Sequence, residues 1–299
     1  MTPIPHAARV LALAVALAAP ALAQSPDTLT AADGWRSSLV ANVSGNQVAF
    51  QNWQEGGVNA LSATASVDVT FDRVVGRVLV GQTLRLAYGV LRQDTLDVRK
   101  ALDVARYAVN AELDSEAIVR PSGGFGIRTQ FAPGFDYSPT EEDYPSLVVV
   151  PGAELKVSDV GSPLVLQQTA GVAIRPGGGF VARTGLALKE TVVAIERLRP
   201  VYGNALDQAV RVEAGLDLEL ALDREIAENV TLRSGLTVFQ GFSQVGNEAP
   251  DVRFENVLLL KVNDLLNVTR DAAALYDADI SQDVQLRQAL SVGLGVALL

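Results

Sequence analysis

The chain has 299 residues, a formal net charge of −10 at pH 7 and no cysteine. This acidic balance argues against a nucleic-acid partner, which needs a basic surface. The lack of cysteine excludes disulfides and thiol chemistry, and the one histidine, His6, lies in a segment predicted to be removed, so His-based triads and most zinc or haem sites are excluded too.

The N-terminal segment 1–23 has the features of a secretory signal peptide. Arg9 precedes the apolar run Val10–Ala19, and Pro20-Ala21-Leu22-Ala23 supplies a small-x-small cleavage pattern. The apolar run is shorter than the span of about 20 residues that a membrane helix needs. We therefore expect a mature chain that starts near Gln24 and carries 23 basic and 34 acidic residues, because only Arg9 is lost from the 24 basic ones.

The full chain of 299 residues combines a positive mean hydropathy of +0.22 with charges at 19% of positions. No later segment holds 18 consecutive apolar residues, which a transmembrane helix would require. Apolar residues must therefore alternate with polar ones. A membrane-spanning chain with that pattern has to be a closed β-barrel, because every backbone group in lipid needs a partner.

Period-two alternation predicts strands along the whole chain. The clearest is Ala209–Leu222, in which Val210, Val212, Leu216 and Leu218 alternate with charged residues. On a helix these leucines would scatter around the axis. Twelve strands are predicted, at Trp35–Val43, Val58–Phe71, Arg77–Leu91, Ala101–Leu113, Gly124–Phe131, Ser146–Val157, Leu164–Arg175, Ala209–Leu222, Val230–Phe239, Val252–Val262, Leu266–Tyr276 and Val284–Leu299.

The last strand, Val284–Leu299, organises the rest. One set of alternate residues is apolar apart from Gln288, and the other set is polar or small. A strand that ends a chain leaves one edge unpaired unless another strand covers it. The first strand is the simplest cover, and this pairing would close an up-and-down antiparallel barrel within one domain, 35–299, after a periplasmic lead, 24–34.

Loop lengths fix the strand count by parity, since both termini in the periplasm require an even number with short turns inside. Segment 158–163 is predicted as an inner turn, and 176–208 as one external excursion, which gives twelve strands. A local hairpin around Pro176-Gly177-Gly178-Gly179 is the alternative and would raise the total to fourteen.

The sequence resembles an uncharacterised bacterial outer-membrane β-barrel family, a domain of unknown function. Trp53–Asn59 (WQEGGVN) is similar to its W-x-x-G-G-x-N motif, and Leu86–Gly89 with Lys100-x-x-Asp103 is similar to a further region. The stretch Phe254–Leu299 follows its C-terminal Y-D-x-D and L-x-V-G-x-G pattern, with departures at Phe254, Arg287, Gln288 and Leu299. The resemblance implies an outer-membrane address and a barrel fold; it brings no activity and no catalytic residues.

Charged residues on the non-lipid face of the predicted strands are candidates for the lumen. They are Asp68, Arg77, Arg85, Arg128, Glu154, Lys156, Arg211, Glu213, Asp217, Glu219, Arg233, Lys261 and Arg287. Both signs are present, which fits either a selective pore or a salt-bridged interior that plugs itself. A carboxylate pair, Glu213 with Asp217, is more readily a set of salt-bridge partners than an acid–base couple.

The sequence thus predicts an exported, porin-like outer-membrane β-barrel that is a passive channel or a structural membrane protein of unknown substrate. We expect outer-membrane lipid as its surroundings and the barrel-assembly machinery as a partner during insertion. No enzyme activity, metal, cofactor or nucleic-acid partner is expected. The alternative is a soluble periplasmic β-sandwich or lipocalin-like binding protein.

Overall fold

The computed structural model describes residues 35–49, 58–113, 117–245 and 249–297. The predicted signal peptide and lead, 1–34, lie outside these residues, as do Trp53–Gly57 of the WQEGGVN segment and the terminal Leu299.

The described chain is almost entirely strand. The elements are β1 (Trp35–Val48), β2 (Ala60–Val75), β3 (Val78–Gln93), β4 (Arg99–Leu113), β5 (Val119–Thr129), β6 (Gly134–Asp136), β7 (Leu155–Ser158), β8 (Leu164–Gly177), β9 (Phe180–Val192), a 3-10 helix (Glu196–Tyr202), β10 (Val210–Ala227), β11 (Val230–Gly241), β12 (Asp251–Lys261), β13 (Leu266–Asp277) and β14 (Ser281–Ala297). None of the helical segments in these ranges is long and apolar enough to cross a membrane.

Twelve of the strands form one closed antiparallel barrel in the order β1-β14-β13-β12-β11-β10-β9-β8-β5-β4-β3-β2. The seam pairs Val40–Gly45 of β1 with Val292–Ala297 of β14. Closure by the first and last strands, and the count of twelve, are therefore confirmed. β6 and β7 form a separate two-stranded sheet within the segment that joins β5 to β8.

The two ends of the barrel differ. At one end, the turn end, short connections such as Gly76-Arg77 join the strands, and both Trp35 and Ala297 lie there, because Trp35 pairs with Arg73. At the other, the loop end, lie the longer segments, of which 130–163 and 193–209 carry the small sheet and the 3-10 helix. This asymmetry is typical of outer-membrane barrels.

The middle of the chain contradicts the predicted connections in two places. Ser146–Val157 is not a barrel strand: Pro151 and Gly152 interrupt its apolar run, and only the β7 residues pair, with β6. Segment 158–163 therefore lies at the loop end, not in an inner turn. The two errors compensate in the count, since the region predicted as one external excursion supplies β9.

The turn before β9 depends on glycine. Gly177, Gly178 and Gly179 all have positive φ, at 100°, 67° and 79°, and a side chain on Gly179 would begin 2.0 Å from the carbonyl oxygen of Asp223. Only glycine adopts this backbone without strain. The run Pro176–Gly179 thus makes the tight β8–β9 connection, and the fourteen-strand alternative does not arise.

The polarity of the barrel is inverted relative to a water-soluble protein. Outward side chains are apolar and exposed, including Leu286 at 79%, Leu290 at 63% and Leu186 at 60%, whereas Glu112 at 2% and Lys189 at 7% are buried inside. A contiguous exposed apolar surface of this kind marks a membrane contact. The single closed barrel excludes the two-sheet sandwich, and twelve strands exceed the eight of a lipocalin.

Candidate functional site

A row of three arginines crosses three neighbouring strands on the lumen side at one level. Arg85 of β3 is directly opposite Arg106 of β4, which is directly opposite Arg128 of β5. Residues paired across antiparallel strands point to the same face of the sheet. Because one of the three arginines points into the lumen, the other two do so as well. Like charges in this position destabilise a sheet. We call these residues the arginine row.

Carboxylates on the opposite wall face this row. In the ring, β4 and β12 are separated by five strands on either side, so they are diametrically opposed. Arg106 donates to Glu255 of β12 through both terminal nitrogens, with 2.6 Å between Nη2 and Oε1. Such a bidentate pair is the strongest arrangement of guanidinium and carboxylate. It spans the lumen from wall to wall, and we call it the cross-lumen bridge.

Asp271 on β13 compensates the first member of the row. Arg85 Nη2 lies 3.5 Å from Asp271 Oδ2, although three strands separate β3 from β13 around the ring. Arg287 on β14 donates to the other oxygen of the same carboxylate at 2.8 Å. Asp68, paired with Arg85 in the sheet, lies 3.8 Å from its Nε. The charges at mid-height are therefore partly cross-linked.

A second cluster lies nearer the turn end. Glu112 on β4 accepts hydrogen bonds from Arg175 at 2.7 Å and from Arg183 at 3.0 Å. Arg183 also contacts Glu219 at 3.3 Å. Arg175 is on β8 and Arg183 is on β9, which are neighbouring strands, whereas β4 is separated from β8 by β5. One buried carboxylate therefore links three strands.

A third cluster lies near the loop end. Lys189 bridges Asp251 at 2.6 Å and Glu213 at 3.2 Å. Arg211 lies 3.3 Å from Glu213 and also bonds to Asp279, in the β13–β14 connection. The bond from Arg211, on the barrel wall, to Asp279 fixes the β13–β14 connection at the loop end.

The lumen is not filled by these side chains. Three cavities of about 240, 270 and 320 Å³ follow one another along it, and Arg106 and Arg253 border all three. Tyr202 and Ile280, from loop-end segments, border the first. The cross-lumen bridge thus lies between cavities, since Arg106 borders all three and Glu255 borders two of them.

Hydrogen bonds between loop-end residues fix the positions of the segments there. Lys100 Nζ donates to Asp103, Gln130 and the carbonyl of Ala132, at 2.9–3.0 Å. Tyr202 donates its hydroxyl to the carbonyl of Val157 at 2.8 Å, which joins the 3-10 helix to β7. Burial raises the pKa of Tyr202 to about 12, so the hydroxyl remains a donor through neutral and moderately alkaline pH.

The predicted lumen residues fall into four groups. Eight occupy inward strand positions and line the clusters above or their walls: Asp68, Arg85, Arg128, Arg211, Glu213, Asp217, Glu219 and Arg287. Arg233 and Lys261 lie toward the turn end, where they pair with Asp223 at 3.1 Å and Asp264 at 3.0 Å. Arg77 lies exposed in the β2–β3 turn, because Val75 and Val78 close that hairpin. Glu154 and Lys156 belong to the loop-end segment, since their predicted strand is absent.

Glu213 and Asp217 do not form a carboxylate couple. Four residues along one strand separate them by roughly 13 Å. Glu213 is engaged by Lys189 and Arg211, and Asp217 accepts a hydrogen bond from Gln167 at 2.7 Å. Each carboxylate therefore has its own partners.

The most central residues escaped prediction from the sequence. They are Arg106, Glu112, Lys189, Arg253 and Glu255. In β4 a signal was available, since Tyr107 and Val109 alternate with Arg106, Asn110 and Glu112. For Lys189 the signal was the alternation of Leu186 and Leu188 with Arg183 and Lys189, in a region predicted as a loop.

Comparison with known proteins adds the following. A family described as "Protein of unknown function (DUF3078)" matches residues 45–135, which confirms the resemblance to a domain of unknown function over that part of the chain. No curated protein matches the sequence significantly.

Several solved structures are similar in outline. The translocator domain of autotransporter NalP from Neisseria meningitidis has 11% identity and a TM-score of 0.35, covering 97% of this chain and 94% of its own. The COG4313 outer membrane channel from Pseudomonas putida F1 has 8% identity and a TM-score of 0.39, with coverage of 92% and 99%. The Pseudomonas putida toluene transporter TodX has 11% identity and a TM-score of 0.30, with 89% of each chain covered. At these sequence identities and TM-scores, the similarity does not indicate a substrate for this chain.

Proposed function

We propose that this protein is an outer-membrane channel of narrow bore, through which small polar solutes pass passively. The observation that carries the proposal is the cross-lumen bridge, Arg106 with Glu255, which stands between cavities of about 240–320 Å³. A lumen that contains cavities and charged groups of both signs, with this ion pair across it, suits conduction at low rate with charge selection. In a barrel with a purely structural role, we expect side chains to fill the lumen and leave no cavities of this size.

The membrane address is supported by the outside of the barrel. Strands of 11–18 residues meet or exceed the roughly 9–11 that a tilted transmembrane strand needs. Their outward leucines and valines would contact outer-membrane lipid. In this arrangement the turn end, with both chain ends, faces the periplasm, and the assembly machinery inserts the barrel after export by the N-terminal signal.

Planar-bilayer conductance tests the channel. The informative variant combines Arg106→Gln with Glu255→Gln, because removing both partners leaves no unpaired charge at the narrow point. We expect a small conductance for the wild type and a severalfold larger one for the double variant. The matched control is Arg233→Gln with Asp223→Asn, which removes a pair near the turn end with side chains that are 52% and 64% exposed, and should leave conductance unchanged.

The possible failures are distinct. Silence of both wild type and double variant at high protein load would leave a structural membrane protein as the function. Equal conductance in the two would mean that the bridge is not the narrow point. Recovery of the protein in the soluble periplasmic fraction, without heat-modifiable migration on a detergent gel, would overturn the membrane assignment altogether.

A further inference from the structure

Arg128 is the member of the arginine row without a protein partner. In the described part of the chain, no carboxylate lies within ion-pair distance of its guanidinium and no acceptor bonds to it, in contrast to Arg85 and Arg106. Its side chain borders the cavities of about 240 and 270 Å³. Arg106, directly opposite it in the sheet, carries a like charge, and this repulsion favours an anion in that space.

Arg253 on β12 borders the same two cavities from another wall. Its nearest carboxylate is Glu255, with 3.7 Å between Nη1 and Oε1, and that carboxylate is already held in a bidentate pair by Arg106. Arg106 and Arg253 therefore share one carboxylate, and Arg128, which lines the same cavities, has none within ion-pair distance.

The other acids around these cavities form no ion pair with Arg128 or Arg253 in the part of the chain that the structure describes. Asp251 is bonded to Lys189, and Asp103 to Lys100 and the backbone of 131–132. Asp277 accepts a hydrogen bond from the backbone N–H of Asp279. The lining of the 240 Å³ cavity has five cationic side chains and two carboxylates, at Arg106, Arg128, Lys189, Arg211, Arg253, Asp103 and Asp277.

We propose that Arg128 and Arg253 bind a small oxyanion, a carboxylate or phosphate group, in the lumen on the loop side of the cross-lumen bridge. The inference rests on the proposed function, since the ligand has to reach the lumen, and it makes small organic or inorganic anions the solute class. Guanidinium groups suit this ligand because their planar donor fork matches two oxyanion oxygens. A cavity of about 240 Å³ has room for phosphate or a short dicarboxylate, given about 30 Å³ per water molecule.

Equilibrium dialysis of the folded barrel in uncharged detergent, at low ionic strength, tests the site without requiring conduction. The probes are radiolabelled inorganic phosphate and radiolabelled succinate, in separate arms. We expect the wild type to retain at least one, and Arg128→Gln to bind it roughly tenfold more weakly or worse, as expected when a charge-assisted bidentate bond is lost. The control, Arg233→Gln, removes a lumen-side arginine that already has Asp223 as partner, and should bind as the wild type does.

Outcomes separate this site from the channel proposal. Retention of phosphate alone, succinate alone or both identifies which oxyanion the site takes, even if the protein is silent in bilayers. Retention of neither by the wild type, or equal retention by Arg128→Gln, overturns the site even if the barrel conducts.

A measurement on the wild type covers the case in which Arg128→Gln does not fold. Phenylglyoxal modifies accessible guanidinium groups, and mass spectrometry of the digested protein locates the adduct. We expect Arg128 to react faster than the bridged Arg106, and phosphate to slow the reaction at Arg128. Reaction at Arg128 that is as slow as at Arg106, or unaffected by phosphate and succinate, would contradict the proposal.

Discussion

Glu112 is the residue whose removal should destabilise the barrel most. Its carboxylate is 2% exposed and accepts hydrogen bonds from Arg175 at 2.7 Å and from Arg183 at 3.0 Å. Replacement by alanine leaves two guanidinium groups without their main acceptor. Breaking a buried ion pair from one side costs about 3–5 kcal/mol.

The structure places the expected cost at the lower end of that range. Arg183 keeps a contact with Glu219 at 3.3 Å, and the Arg175 side chain is 31% exposed and so can turn toward solvent. We therefore expect Glu112→Ala to lower the free energy of unfolding by about 3 kcal/mol. Glu112→Gln, which keeps one acceptor oxygen, should cost less.

Urea unfolding of the barrel in detergent micelles, followed by circular dichroism and by the shift of the folded band on a gel, measures the effect. With a urea dependence of about 1–3 kcal/mol per M, the midpoint should fall by roughly 1–3 M. The control is Asp223→Ala, which removes the same charge from a pair whose Asp223 side chain is 64% exposed, and should cost at most about 1 kcal/mol. A midpoint for Glu112→Ala no lower than that of Asp223→Ala would refute the importance of burial.

Three further predictions concern packing, the lipid face and the loop end. Gly185→Val should reduce the yield of folded barrel on the gel, because its Cβ would begin 2.3 Å from the carbonyl oxygen of Ala170, whereas Gly126→Ala, with nothing within 4 Å of the new Cβ, should fold normally. Leu216→Arg should cost about 2–4 kcal/mol in urea unfolding from lipid vesicles, because Leu216 is 52% exposed on the outward face; an unchanged midpoint would contradict its contact with lipid. The pKa of Tyr202 is raised to about 12, so the stabilisation of the loop by its hydroxyl is complete below about pH 10 and is lost as pH rises through 12. The difference in phenolate absorbance between wild type and Tyr202→Phe should therefore titrate near pH 12. Titration near pH 10 would show that the loop is open.

The outward and inward faces could be predicted wherever alternation was clean. In β10 and β14 the exposed leucines and valines, such as Leu216 and Leu286, are ones assigned to lipid, and Arg211, Glu213 and Arg287 lie inside. Alternation reports a face directly, because each strand meets lipid on one side and the lumen on the other. It does not report which segment enters the barrel: the apolar run in Ser146–Pro151 resembles a strand, yet it lies in a loop-end segment.

The partners across the lumen could not be predicted in this way. Arg106 and Glu255 are 149 residues apart in sequence, and which residues meet depends on the stagger accumulated around the whole ring. Exchange of one wrongly predicted strand for β9 leaves the total at twelve, so the count is correct although one strand assignment is not. The face that a side chain occupies depends on its own strand, whereas its height along the lumen depends on the stagger of all the strands in the ring.

The arginine row gives this dependence on the whole ring a physical consequence. Arg85, Arg106 and Arg128 are adjacent by sheet register, so their repulsion cannot be relieved by rotating a strand without exposing charge to lipid. Carboxylates on other strands relieve it for the first two, Asp271 of β13 for Arg85 and Glu255 of β12 for Arg106. The attraction that holds these strands together is also what narrows the passage. Arg128, which has no carboxylate within ion-pair distance among the described residues, is therefore where a dissolved anion gains most by binding.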